Sequence, residues 1–139
     1  AYVGCRSTRE RNARGKGLKV YEISETTGDW KEIQCLKTEE NPSFQCMDNE
    51  QKYLYSVHGD FTFVTSYRIK EDGTLEFINK VDIGGKNPVD VTVDAENSLM
   101  REKKRGRYQP FTSACGTGRK IISLPVHRDV SMDMGRCGH

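Results

Sequence analysis

A chain of 139 residues with net charge +2 and 35% hydrophobic residues has the length of one ordinary domain. A pI near 8.3 is too mild for the basic footprint of a nucleic-acid or membrane-surface binder. No apolar run approaches the roughly 18 residues of a membrane span, and a mean hydropathy of −0.75 suits thin, half-exposed sheets.

The chain opens on a strand, Ala1–Gly4, with no initiator Met and no signal-like apolar core. We expect it to begin partway through a longer reading frame or at a processed end. A loop follows over Cys5–Gly17, carrying Arg6, Arg9, Arg11, Arg14 and Lys16 against one acid, Glu10. Strands are predicted at Leu18–Ile23 and Trp30–Cys35, joined by a hairpin at Thr27-Gly28. After Asn41-Pro42 the period is two, with strands predicted at 43–48, 52–58, 63–70 and 75–81. Asp48-Asn49-Glu50-Gln51 makes the first turn. Glu71-Asp72-Gly73-Thr74 makes a hairpin in which glycine takes a positive φ without a Cβ clash. A further strand is expected at Pro88–Val93.

These segments repeat. Tyr21, Ile23, Asn41, Pro42 and Asp48 recur 46 positions later as Tyr67, Ile69, Asn87, Pro88 and Asp94. Gly28, Trp30 and Ile33 recur 45 positions later as Gly73, Leu75 and Ile78, so one turn is a residue shorter. A repeat of this length built from strands and turns predicts an all-β fold, a β-propeller whose blade is a four-stranded sheet. About three such units fit in the chain, whereas propellers close with roughly four to eight blades. The expectation is therefore an incomplete propeller. Residues 1–36 form a partial blade, 41–82 a full blade and 87–97 the start of the next.

The pattern breaks after Asn97. Arg101–Arg107 holds five cations in seven residues, which are costly in a strand packed between blades. Residues 98–139 are expected to be aberrant or poorly ordered, with a possible strand at 121–126, where SLPV resembles SYRI at 66–69. An inserted loop and a lost reading frame both explain the break. The basic tract lacks the interleaved aromatics of a nucleic-acid binder. Cys115, His127, Cys137 and His139 lack zinc-site spacing. GTGRK at 116–120 is too short for a phosphate-cradling loop.

Antiparallel strands put two kinds of connection on one rim, between the second and third strands of a blade and between successive blades. Asn41-Pro42, Asn87-Pro88, His58-Gly59-Asp60 and the loop Cys5–Gly17 should share that face, with the hairpins at Gly28 and Gly73 opposite. His58 has the chemistry of a base or substrate ligand; otherwise it caps a strand beside a flexible glycine. Asn41 and Asn87 recur at equal positions, which favours a structural role over substrate contact. The cationic loop can attract an anionic sugar or remain simply solvated. Five widely spaced cysteines read as free thiols of a reducing compartment, the cytoplasm, and not as a disulfide framework.

With the blades laid out, AYVGCRS, GLKVYEIS with TGDW, NPSF with MD, KYLYSVHGDF, EDGTLEFI and GGKNPVDVTVD together resemble the opening blades of the seven-bladed lactonase propellers. That family includes propeller-type 6-phosphogluconolactonases and, more distantly, carboxymuconate cyclases. The resemblance implies hydrolysis of a small-molecule sugar lactone with no metal or organic cofactor and no nucleic-acid or membrane partner. It places catalytic His, Arg and Glu residues mainly on later blades. Substrate-binding candidates within this chain are Arg6, Asn41, His58, Asp60, Asn87 and Asp90. Many relatives carry His after the second Asn-Pro-Val, where this chain has Asp90. A lactonizing cyclase and a non-catalytic scaffold are the alternatives. The chain alone is expected to be inactive and to self-associate through exposed blade edges.

Overall fold

The computed structural model describes residues 1–37, 40–84, 86–95, 99–103 and 107–110, the last two stretches as backbone. Among the described residues ten strands run in chain order: β1 (Tyr2–Gly4), β2 (Leu18–Ile23), β3 (Trp30–Leu36), β4 (Pro42–Met47), β5 (Tyr53–His58), β6 (Phe63–Ile69), β7 (Leu75–Asp82), β8 (Val91–Val93), β9 (Leu99–Lys103) and β10 (Arg107–Pro110). They form three antiparallel meanders, β1-β2-β3, β4-β5-β6-β7 and β8-β9-β10. The chain is all-β, as the repeat predicts, and the strand bounds depart little from those read in the sequence.

The repeat reaches into backbone irregularities. In the first sheet Val20 faces Gln34 and Tyr21 faces Glu32, so Ile33 is the extra residue of a bulge. In the second sheet Ser66 faces Asn79 and Tyr67 faces Phe77, leaving Ile78 in the same role. Each repeated isoleucine is thus a bulge residue that increases local twist. The hairpin glycines Gly28 and Gly73 have φ of +74° and +80°, the conformation for which glycine was required.

Alternation on the second sheet feeds two cores. Leu54, Tyr67 and Leu75 meet Leu18 and Val20 of the first sheet, with Tyr2, Ile33, Leu36 and Ile69 closing the cluster. The opposite face sends Tyr55, Val57 and Val64 against Val91 and Ile83, with Cys46, Val81 and Val93 beside them. Burying an aliphatic side chain contributes about 1.5–3 kcal/mol, so these two seams outweigh any surface contact in holding the sheets together. The first strands of successive sheets converge: β1 abuts β4, and β4 abuts β8. At Gly4 a Cβ would lie 2.3 Å from the Pro42 carbonyl oxygen, so only glycine lets the first sheet approach the second this closely.

One segment departs from expectation. Residues 99–103 and 107–110 pair as a hairpin and continue onto β8, with Arg101 opposite Val91 and Arg107 opposite Lys103. The objection to a strand there concerned cationic side chains between two blades. Backbone pairing needs only N–H and C=O groups, which arginine and lysine supply like any other residue. The strand expected at 121–126 lies outside the described residues.

Candidate functional site

The rim predicted from strand polarity exists, and its organiser is Asn41. This residue is 1% exposed and left-handed, with φ +45°. Its Oδ1 accepts the backbone N–H groups of Ser7 at 2.9 Å and Thr8 at 3.2 Å, and its own N–H donates to Ser7 Oγ at 3.1 Å. Its carbonyl accepts the Gly59 N–H at 2.9 Å. One residue therefore ties the loop after β1 to the loop after β5. Asn87 repeats the device one sheet on: φ is +57°, Oδ1 accepts the Asp60 N–H at 3.2 Å, and its N–H donates to the Phe61 carbonyl at 2.9 Å. Asparagine suits both positions because it tolerates positive φ and carries a side-chain acceptor.

His58 ends β5 beneath this rim and is fully buried. Its Nδ1 is 2.6 Å from the Glu40 carbonyl oxygen and its Nε2 is 2.8 Å from Thr65 Oγ1. Since a carbonyl only accepts, Nδ1 carries the proton and neutral Nε2 accepts from the threonine hydroxyl. The ring packs tilted at 4.6 Å on Phe63, which also meets Phe61 at 5.2 Å and the Lys80 ammonium at 3.6 Å. Burial pulls the imidazole down to about 4, a trend the Glu40 bond opposes and the Lys80 charge assists. The Nδ1 contact ties the Glu40-Asn41 connection to the end of β5. The ring turns inward from the end of β5.

Asp60 lies on the rim with φ +72° and receives both Nε and Nη2 of Arg11, the former at 2.7 Å. This fork joins the loops of the first and second sheets in solvent, so it orients them more than it stabilises them. The Arg11 hydrogen bond holds the Asp60 carboxyl below the usual carboxylate range, with Arg11, Arg6 and Lys86 adding through charge. Arg6 and Asn87 are exposed. Arg6, Asn41, Asp60 and Asn87 are thus brought to one end of the sheets, with His58 underneath. Asp90 is half-buried just before β8, where its charge and that of Asp48 reinforce the burial that pushes the Cys46 thiol up to about 12.

Sequence reasoning missed two residues. Arg11 was one of five equivalent cations until the structure singled it out on Asp60. Lys86 lies beside Asn87 and raises the positive potential there. Arg6, Arg11 and Lys86 all act through charge on the Asp60 carboxylate. The described residues include a single histidine, and they contain no group of acids, cysteines and histidines able to hold a metal. Among them no helix is long and apolar enough to cross a membrane.

Sheets of this kind, converging on their first strands and repeating every 46 residues, define a β-propeller. Residues 1–102 match the family described as Lactonase, 7-bladed beta-propeller, and the chain belongs to it. A 6-phosphogluconolactonase of Formosa agariphila is 28% identical over 94 residues, which cover 62% of this chain and 26% of that one. The periplasmic gluconolactonase of Pseudomonas aeruginosa superposes with TM-score 0.63 at 21% identity, over 72% of this chain and 29% of its own. A Bacteroides fragilis protein assigned as a 6-phosphogluconolactonase gives 0.59 at 20% identity, over 78% and 33%. The chain spans about a quarter of the curated relative it matches, and at these identities the structural neighbours establish the fold alone.

Proposed function

We propose that these sheets are part of a propeller that hydrolyses a sugar lactone of the 6-phosphogluconolactone type. The observation that carries this reading is family membership over residues 1–102, joined to a curated relative bearing that activity. In the reaction water adds to the lactone carbonyl and the ring C–O bond breaks. A proton passes to the departing oxygen, and the new acid ionises. Ester opening requires a base for the water and donors for the developing oxyanion.

On this chain the cationic rim serves recognition. Arg6 and Lys86 flank the Arg11–Asp60 fork and attract the anionic end of the substrate, while Asn41 and Asn87 fix the loops that carry them. In this reading Asn87 and Asp60 contact the substrate, while Asn41 and His58 act through the backbone they hold. Asp90, just before the first strand of the third sheet, is the remaining candidate for substrate contact. Base and oxyanion donors come from sheets beyond these three, so the 139-residue chain alone is inactive. A cytoplasmic setting suits Cys5, Cys35 and Cys46, which form no disulfide.

The test is pH-stat titration of 6-phosphogluconolactone with the product of the whole reading frame that encodes these residues. Acid release well above the spontaneous rate is expected. Release at the spontaneous rate, with turnover of a muconate instead or of neither substrate, would replace the proposal with a cyclase or a scaffold.

A further inference from the structure

The fork between Arg11 and Asp60 is held more firmly than an exposed ion pair requires. Arg11 closes a single 3-10 turn, Arg9–Arg11, which Asn12 ends at φ +49° with its N–H on the Arg9 carbonyl at 2.8 Å. The surrounding loop is shut at its base. There the Cys5 N–H meets the Gly17 carbonyl at 2.9 Å and the Gly15 N–H meets the Arg6 carbonyl at 3.1 Å. Its first turn is tied to Asn41 through Ser7 and Thr8. Asp60 is fixed as well: φ is +72°, its N–H rests on Asn87 Oδ1 at 3.2 Å, and Asn41 Nδ2 lies 3.4 Å from its Oδ2. A non-glycine residue stays in the left-handed region only when its surroundings over-determine it.

Stability does not explain the arrangement, because the two side chains are 41% and 37% exposed and such pairs contribute little. Geometry does. A guanidinium is planar, with its N–H donors in a fixed fork. Asp60 accepts from Nε and Nη2, the side edge of that plane. The end edge, the remaining N–H of Nη2 with those of Nη1, therefore points away from Asp60 in the same plane. Such an edge takes two oxygens of one oxyanion, a match that a lysine ammonium cannot make. Arg6 and Lys86, both exposed, act through charge on the same carboxylate, so two further cations stand around the fork.

We infer that Arg11 is the phosphate-reading residue of this rim, its end edge binding two oxygens of a phosphate monoester while Asp60 holds the guanidinium plane in place. Toward the phosphate Asp60 is a positioning residue that acts through Arg11. A phosphate monoester carries about −1.5 to −2 charge at pH 7, which suits three cations better than the single charge of a carboxylate. The inference deepens the lactonase reading and rests on it for the source of the phosphate, the substrate's own ester. The sign of one effect separates positioning from plain electrostatics. Neutralising Asp60 makes the rim more positive, so attraction alone would tighten anion binding. Losing the fork lets the guanidinium rotate, so the positioning role weakens it.

The experiment is isothermal titration calorimetry, at low ionic strength, of inorganic phosphate and separately of gluconate into the product of the whole reading frame. Phosphate should bind, with gluconate, which offers a carboxylate alone, at least about threefold weaker. Arg11→Lys keeps the charge and loses the edge, so the phosphate Kd should rise about tenfold. Asp60→Asn should raise it about threefold with a urea midpoint close to that of wild type, since the fork orients more than it stabilises. Arg9→Ala, which removes a cation from the same turn, should bind as wild type does. Tighter binding in Asp60→Asn, wild-type binding in Arg11→Lys, or an Arg9→Ala loss as large as that of Arg11→Lys would overturn the inference. So would gluconate binding as tightly as phosphate, or phosphate not binding at all. No turnover is measured, so the two readings fail separately. The expected pattern in a protein that leaves lactones intact would keep the site and remove only its assigned substrate.

Discussion

Gln34 grips Leu75 by both backbone groups, spanning the outer strands of two sheets with hydrogen bonds of 2.9 and 2.7 Å. It follows directly after the bulge residue Ile33, and its repeat counterpart Asn79, which follows Ile78, bonds Ser66 within its own sheet instead. The bulge and the amide act together: the first re-aims the strand, the second reads the neighbour's backbone. Gln34→Leu keeps the bulk but leaves the Leu75 N–H and C=O without their amide. We expect a loss of about 1–3 kcal/mol, read as a lower denaturant midpoint with unchanged m-value. A midpoint equal to wild type would show the clamp to be incidental.

Asn41 separates backbone conformation from side-chain bonding. Asn41→Gly retains positive φ but removes the acceptor for Ser7 and Thr8, whereas Asn41→Asp keeps the acceptor. The glycine variant should lose about 1–3 kcal/mol and the aspartate variant less. Hydrogen exchange at Ser7 and Thr8 should accelerate in the glycine variant. Unchanged exchange would mean that the loop after β1 is held by other contacts.

His58 makes the fold acid-sensitive in a defined window. Its pKa is about 4 folded against 6.5 unfolded, so the unfolded chain binds the extra proton between those values. Stability is complete above about pH 6.5, declines as pH falls toward 4, and loses no more from this residue below that. Across the whole window the drop amounts to about 3 kcal/mol. Asp60, Asp72 and Asp82 are all held below the usual carboxylate range, so their losses fall lower still. Denaturation midpoints at pH 7 and pH 4.5 should differ in wild type. They should nearly coincide in His58→Gln, whatever its own stability. Equal midpoints in wild type would refute the buried neutral imidazole.

Cys46 should resist alkylation. Its thiol, pushed up to about 12 chiefly by burial, is protonated at pH 8, and only the thiolate is nucleophilic. Mass mapping after brief iodoacetamide treatment should show Cys46 unmodified in buffer and modified in denaturant. Rapid modification in buffer would contradict its placement in the seam between the second and third sheets.

Much of this was legible in the sequence because period-two segments and turn glycines obey local rules. Gly73 demanded a hairpin, and Asn41-Pro42 recurring as Asn87-Pro88 implied one role used twice. The bulges were invisible, since Ile33 and Ile78 read as ordinary apolar strand residues. The Gln34 clamp was hidden because its partner is backbone, which carries no sequence signature. The partner of His58 was hidden for a similar reason: the Glu40 carbonyl that holds its ring belongs to a connection 18 residues away. Arg101–Arg107 argued against strands through side-chain cost, while the pairing seen at 99–110 is set by backbone. Arg11 could not be chosen among five cations without the position of Asp60.

The rim is where fold and proposed chemistry meet, and Arg6, like Lys86, is an exposed cation of it outside the Asp60 fork. Steady-state hydrolysis of 6-phosphogluconolactone by the whole-frame protein and its Arg6→Ala variant, measured side by side by pH-stat, tests the account most directly. Turnover should exceed the spontaneous rate in both, with KM raised about fivefold and kcat unchanged in the variant, as expected for the loss of one charge-assisted contact. Spontaneous-rate release by the wild type, or identical kinetics for the two proteins, would contradict it.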